Sequence, residues 1–202
     1  LNSDDIVLTG AFAVVAKAFH ENPEAALVSG QVRLINEEGK SIGTLRSYFT
    51  SWEELVTNPG NSVRQVSTFF KRSLFDEFGM VDETLYIAMD NELLVRFTKE
   101  YTPLIIEDAL IAFRKHHGAK TDQQLLLGYK ETDKLRLKYI NSQKLKSGYR
   151  QRSAANWLSL FELGDRSRSK RFSCLLRAVI MKPVVLFSRR FWSALRSYFS
   201  KS

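Results

Sequence analysis

Apolar residues recur at helical spacing through "TGAFAVVAKAFHENPEA", at Phe12, Val15, Ala16 and Phe19, and "ENP" stops the run. The next segment, "AALVSGQVRLI", is rich in β-branched residues and predicts a strand. "NEEGK" predicts a turn around Gly39, and "SIGTLRSYF" a returning strand. "TSWEELV" reads as a short helix capped by Thr50 or Ser51. After the "NPGN" loop, "SVRQVSTFFK" reads as a strand and "RSLFDEFG" as a short helix ended by Gly79. "MVDETLYIAM" is a loop leading into "DNELLVRFTKEY", a helix with Leu93, Leu94 and Phe97 on one side. "PLIIEDALIAFRKH" is strand material with a break at "EDA". The order helix, strand, strand, helix, strand, helix, helix, strand implies an α/β domain whose sheet need not be all parallel.

Composition divides the chain. A hydrophobic fraction of 44% and an aromatic fraction of 12% indicate a globular protein with a real core. Residues 1–121 carry 12 Lys/Arg against 17 Asp/Glu, a net −5, whereas residues 122–202 carry 18 against 5, a net +13. The change of material near Thr121–Gln124 predicts two regions with different work: 1–121, and a helical basic extension, 122–202. The one cysteine, Cys174, excludes an intramolecular disulfide and multi-cysteine zinc sites, and in "FSCLLRAVI" it reads as a small core residue. The longest apolar stretch, "CLLRAVIMKPVVLF", is interrupted by Arg177, Lys182 and Pro183, so no spanning helix is expected.

Three places could carry chemistry. Asp4 and Asp5 read as following a strand and preceding a helix, the carboxyl-end position where open α/β sheets bind ligands and where magnesium is held by one or two carboxylates plus phosphate oxygens. A solvated turn is the plain alternative. Asp90 opens the "DNELLVRF" helix. It suits an N-cap accepting from Glu92 or Leu93 N–H, and equally a general base, because a helix N-terminus favours the ionised carboxylate. In "FRKHHGAKT", Arg114, His116, His117 and Lys120 gather cations and possible metal ligands beside Gly118.

Taken in order, these segments resemble the C-terminal part of family 2 glycosyltransferases with the GT-A fold, over residues 1 to about 121. "LNSDD" before "TGAF" is similar to the family's D-x-D region, and "GQVRLINEEGKSIG" to its following hairpin. "QVSTFFKRSLFDEFGMVDETLYIAMDNELLVRF" is similar to the acceptor-side segment ending in the catalytic aspartate helix. "FRKHHGAKT" is similar to the Arg-x-His-x-Gly segment over the donor phosphates. The resemblance implies the C-terminal half of a GT-A mixed sheet, with a nucleoside-binding half expected before residue 1 and no activity for this stretch alone. It implies Asp4 and His116 as ligands of Mn2+ or Mg2+. Asn2, Asp5, Arg114, His116 and Lys120 would contact the donor diphosphate, Gln65 the acceptor, and Asp90 would be the base. Asn2 departs from the acid often found at its position, and Met89 from a glutamate common before the base. The implied reaction moves a sugar, with inversion, from a nucleotide-diphosphate donor to a saccharide or lipid-linked acceptor.

In the basic extension, "DRSRSKR" reads as a linker and "VVLFSRRFWSALRSYFS" as one amphipathic helix started by Pro183. Val184, Phe187, Phe191, Trp192, Leu195, Tyr198 and Phe199 fall on one arc, with Arg189, Arg190 and Arg196 on the other. Such a helix suits a membrane interface, and equally packing on the catalytic domain or a partner. No recognised nucleic-acid motif accompanies the basic residues, which ranks nucleic acid behind lipid. The expected location is cytoplasmic, peripheral at the inner face of the plasma membrane through 183–202. Two rival readings remain: a non-catalytic lipid- or nucleic-acid-binding interaction module, and another magnesium-dependent phosphate-handling enzyme.

Overall fold

The computed structural model describes residues 4–58, 63–116, 124–162 and 168–200. In chain order the elements are β1 (Ile6–Val7), α1 (Ala11–Glu21), β2 (Leu27–Ile35), β3 (Ser41–Leu45) and α2 (Trp52–Thr57). A 3-10 turn (Gln65–Ser67), β4 (Thr68–Phe70), α3 (Ser73–Phe78), α4 (Met89–Glu100) and β5 (Leu104–Arg114) follow. Then come α5 (Leu125–Tyr139), α6 (Gln143–Glu162), α7 (Arg168–Met181), a second 3-10 turn (Pro183–Phe187) and α8 (Arg189–Ser200). The chain forms two compact units: residues 1–56 with 60–136, and residues 57–59 with 137–202. The charge boundary near residue 121 does not coincide with this division, because most of α5 clusters with the first unit.

The first unit is α/β with a mixed open sheet. β2 is its axis: β5 runs parallel along one edge, and the other edge is shared by β4 at the start of β2 and β3 at its end. β1 pairs antiparallel with the far edge of β5. Leu27, Val28, Val32 and Ile35 of β2 are buried together with Ser29 and Gln31, as a strand covered on both faces requires. The two polar side chains are satisfied inside. Gln31 Nε2 donates to Ile106 O (2.9 Å) and Gln31 Oε1 accepts from Ser47 N (2.9 Å), while Ser29 and Ser47 share a hydroxyl bond (3.1 Å).

The break expected at "EDA" is an irregularity within one continuous strand. Ser29 lies opposite Ile105 but Gln31 lies opposite Ala109, so β5 carries extra residues there. α1 buries Ala11, Val15 and Ala18 rather than the expected Phe12 and Ala16 stripe, and Phe12 is 65% exposed. Its ring meets Phe69 edge-on at 6.1 Å. α2 is capped by Ser51, whose Oγ accepts from Glu54 N (3.1 Å), and Trp52 Nε1 donates to Val95 O (2.8 Å) to pin α2 on α4. Phe70, Phe75 and Phe78 pack their rings against Phe97 of α4 at 5.5–5.9 Å.

The second unit is helical. Trp157, Tyr149 and Phe161 of α6 are buried, together with Cys174, Leu175 and Ala178 of α7. Cys174 is thus a core residue, its thiol donating to Lys170 O (3.3 Å). Residues 168–171, part of the expected linker, already belong to α7, and residues 163–167 lie outside the described residues. The expected single C-terminal helix is interrupted: the turn started by Pro183 ends at Ser188 in an extended conformation, and α8 begins after it. Ser188 Oγ then accepts from Phe191 N (3.2 Å), so a side chain that competes with the backbone resets the helix there. Among the described residues no helix is long and apolar enough to cross a membrane.

Candidate functional site

The sheet topology gathers chain segments far apart in sequence. β2 and β5 are parallel and finish together, with Ile35 opposite Arg114. β1 runs antiparallel to β5, with Ile6 opposite Ala112, so its start lies at the same end. Asp4, Asp5, Asn36, Glu37, Arg114 and His116 therefore meet at the carboxyl ends of a parallel strand pair, where open α/β sheets carry their ligands.

His116 Nε2 lies 2.9 Å from Asp4 Oδ2, across 112 residues of sequence. The pair is partly open to solvent, at 27% and 35% side-chain exposure for His116 and Asp4. The hydrogen bond from His116 holds the Asp4 carboxyl below its ordinary value, and the positive charges of His116 and Arg114 add to the effect. An ionised carboxylate only accepts, so the shared proton resides on His116 Nε2.

Asp5 has a different part. It is buried, and its Oδ1 accepts from the Arg114 backbone N–H (3.2 Å), which ties the start of β1 to the end of β5. Arg114 braces the same corner: Nε donates to Asp4 O (3.3 Å), and Nη1 to Asn36 O (3.2 Å) and Glu37 O (2.7 Å). Both residues, expected at the donor diphosphate, hold Asp4 and His116 in position through backbone groups. Asn2, His117 and Lys120 lie outside the described residues.

Asp4 and His116 are residue types that could both ligate a divalent ion if it replaced the hydrogen bond between them. One carboxylate and one imidazole leave coordination positions for phosphate oxygens. Among the described residues no group of three or more His, Cys, Asp or Glu is placed to hold an ion by protein ligands alone.

Gln65 sits in the 3-10 turn before β4, not in the strand expected there. It lines a cleft of about 320 Å³ with Val7, Phe12, Thr68, Phe69 and Ile111 among its walls. Gln65 and Thr68 thus bring polar groups to a cleft otherwise walled by aliphatic and aromatic side chains.

Asp90 lies in the first turn of α4, one residue inside the helix, and is half-buried. The N-cap is Ala88, so the expected capping role is corrected: Asp90 Oδ1 accepts from Asn91 N (2.7 Å). Glu92 points elsewhere, buried and paired with Arg96 (2.8 Å), which in turn donates to the carbonyls of Phe78, Gly79 and Met80.

The residue that ties down the entry to α4 was not visible in the sequence. Glu131 of α5 accepts from three consecutive backbone N–H groups, of Tyr86 (3.0 Å), Ile87 (2.8 Å) and Ala88 (3.0 Å). The donors are more than 40 residues away, and no local spacing signals such a contact. Glu131→Ala removes all three acceptor bonds, two of them to part-buried groups. Its expected cost is about 1–3 kcal/mol of stability, read as a lowered urea midpoint with unchanged slope.

Comparison with known proteins returns no relative: no protein-family model matches the chain, and no curated protein matches it.

Proposed function

We propose that the first unit is the acceptor-side half of a metal-dependent, inverting glycosyltransferase with the GT-A fold of family 2. It would transfer a sugar from a nucleotide-diphosphate donor to a saccharide or lipid-linked acceptor. The observation that carries the reading is the meeting of Asp4 and His116 at the carboxyl ends of β2 and β5. Two residues singled out by type, far apart in sequence, come into hydrogen-bonding contact at that edge of the sheet.

The chain's residues then divide the work. Asp4 and His116 would hold Mn2+ or Mg2+, which when bound offsets the charge that develops on the departing diphosphate. Asp5 and Arg114 brace the backbone from which those two side chains project, through the hydrogen bonds described above. The cleft beside Gln65 receives the acceptor, its apolar wall covering a sugar face and the carboxamide bonding a hydroxyl. Asp90 takes the proton from the attacking hydroxyl. An ordinary aspartate has a pKa of about 4, so it is a weak base for an alcohol, and the transfer occurs late, as the new C–O bond forms.

Equilibrium binding of Mn2+ in the presence of a nucleoside diphosphate tests the metal site. His116→Ala is expected to weaken binding by at least about 10-fold. Binding by the wild type should fall as pH is lowered, because the ion must displace the proton between His116 Nε2 and Asp4. Equal affinity in variant and wild type removes the basis of the reading.

A further inference from the structure

We propose that the outer face of α7 and the turn that follows it form a docking surface for an anionic lipid bilayer. This rests on the second unit alone and stands or falls apart from the glycosyltransferase reading.

α7 has an inward face of Cys174, Leu175, Ala178 and Met181, all buried. The opposite face of a helix exposed to water should be polar. Here it carries Phe172 (48% exposed), Leu176 (53%) and Ile180 (60%), one on each successive turn. The Pro183–Phe187 turn continues the series with Val184 (60%) and Phe187 (87%). Single exposed apolar side chains are ordinary, but a run of five on consecutive turns marks an interaction surface. Phe172 to Ile180 extends about 12 Å along the helix axis, so α7 lying in the plane of a bilayer would insert all three at once.

Charge identifies the occupant. Residues 166–202 contain ten Lys/Arg and no Asp/Glu. Arg177 flanks the apolar face of α7 half-buried, and Arg189 and Arg196 of α8 are exposed. Arg190 is engaged by Glu162 at 2.7 Å. Bulky aliphatic and aromatic groups bordered by basic residues are the two features that bind an anionic membrane interface. Leu176, Ile180 and Val184, three of the five exposed side chains, are aliphatic and offer a base nothing to stack on, so only Phe172 and Phe187 could serve nucleic acid and lipid is favoured.

The structure also moves the surface from where the sequence puts it. Of the aromatic arc expected on the last helix, Phe191 is buried and the Tyr198 ring packs on Phe161 (6.2 Å) and Phe172 (5.9 Å), while Val184, Phe187, Trp192 and Phe199 stay exposed. Part of that arc therefore closes the second unit, and the exposed apolar surface extends beyond the arc onto α7.

Co-sedimentation of the whole chain with vesicles tests this. Vesicles of equimolar phosphatidylcholine and phosphatidylglycerol should bind it strongly, and pure phosphatidylcholine weakly. Raising salt from about 0.1 M to about 1 M should weaken the binding. The triple variant Leu176→Ser, Ile180→Ser, Phe187→Ser should lose on the order of 100-fold in partition coefficient. Its circular dichroism should be unchanged, because all three side chains face solvent. Brominated lipid gives a second measurement on the wild type, quenching half-exposed Trp192 and sparing buried Trp157. The proposal is overturned if the triple variant binds as tightly as the wild type, if neutral vesicles bind as well as anionic ones, or if Trp192 is not quenched. Sedimentation equilibrium showing a dimer abolished by the same variant overturns it in favour of a second copy of the chain.

Discussion

Asp90→Asn is expected to lower kcat by about 10²–10⁴-fold while leaving donor and acceptor KM nearly unchanged, measured as sugar transfer by the full-length protein with Mn2+. The substitution preserves shape and removes only basicity. The Asn91 N–H now bonded to Asp90 Oδ1 at 2.7 Å finds an equivalent carbonyl oxygen in asparagine. The helix start is held independently by Glu131 through the N–H groups of residues 86–88. The fold should therefore survive, and thermal unfolding should move only by the few tenths of a kcal/mol expected when a first-turn charge is lost, roughly 0.3–1 kcal/mol. A purely structural Asp90 gives the opposite division: that small stability change with kcat intact. Asp90→Glu separates position from basicity, since it keeps a carboxylate but moves it outward by a methylene, and it should recover part of the lost rate.

The sequence carries the strong periodicities of this fold and little of its long-range wiring. β2 is legible because the apolar and β-branched Leu27, Val28, Val32, Leu34 and Ile35 outweigh the interruption at Ser29–Gln31. α4 is legible through Leu93, Leu94 and Phe97, all of them buried. α1 was legible as a helix but not in its facing. The residues that approach the sheet are the small Ala11, Val15 and Ala18, and the larger Phe12 is displaced outward. Hydrophobicity alone ranks Phe12 first, whereas close approach of a helix to a sheet favours small side chains. The break before α8 depends on one serine, Ser188, bonding locally in preference to the helix.

Asp4 and His116 were legible as residue types suited to metal and phosphate. Their adjacency was suggested only by the order of motifs, because a separation of 112 residues has no periodicity to read. The positioning roles of Asp5 and Arg114 were not legible, since each acts on backbone atoms brought near by strand pairing. Gln65 was assigned to a strand because "SVRQVSTFFK" is rich in β-formers. The actual strand is only Thr68–Phe70, and hydrogen bonds from Ser67 and Thr68 to Arg64 O fold the preceding residues into a turn.

Gly30→Ala should destabilise the first unit by on the order of 3 kcal/mol, at the upper end of what overpacking a core costs. Gly30 lies in the middle of β2, where β5 departs from regular register. A methyl group there would stand 2.5 Å from Leu110 Cγ, 2.6 Å from Leu110 Cδ1 and 2.7 Å from Asp108 O. Leu110 is fully buried, and Asp108 O belongs to the backbone of the adjoining strand. Relief therefore requires β5 to move away from β2. That shift would also strain the bond from Gln31 to Ile106 O and the one from Ser67 Oγ to Gly30 O (2.6 Å). Because Asp5, Arg114 and His116 all hang on the far end of β5, the same shift should weaken Mn2+ binding along with stability. The identical substitution at Gly148, within α6 and with nothing inside 4 Å of the added carbon, should instead stabilise the second unit by about 0.5–1 kcal/mol. Hydrogen exchange in urea reads the two units separately: protection should fall across β2 and β5 in Gly30→Ala and rise in α6 in Gly148→Ala. If Gly30→Ala leaves β2 protection unchanged, then β2 and β5 are not packed as closely as the contacts around Gly30 require.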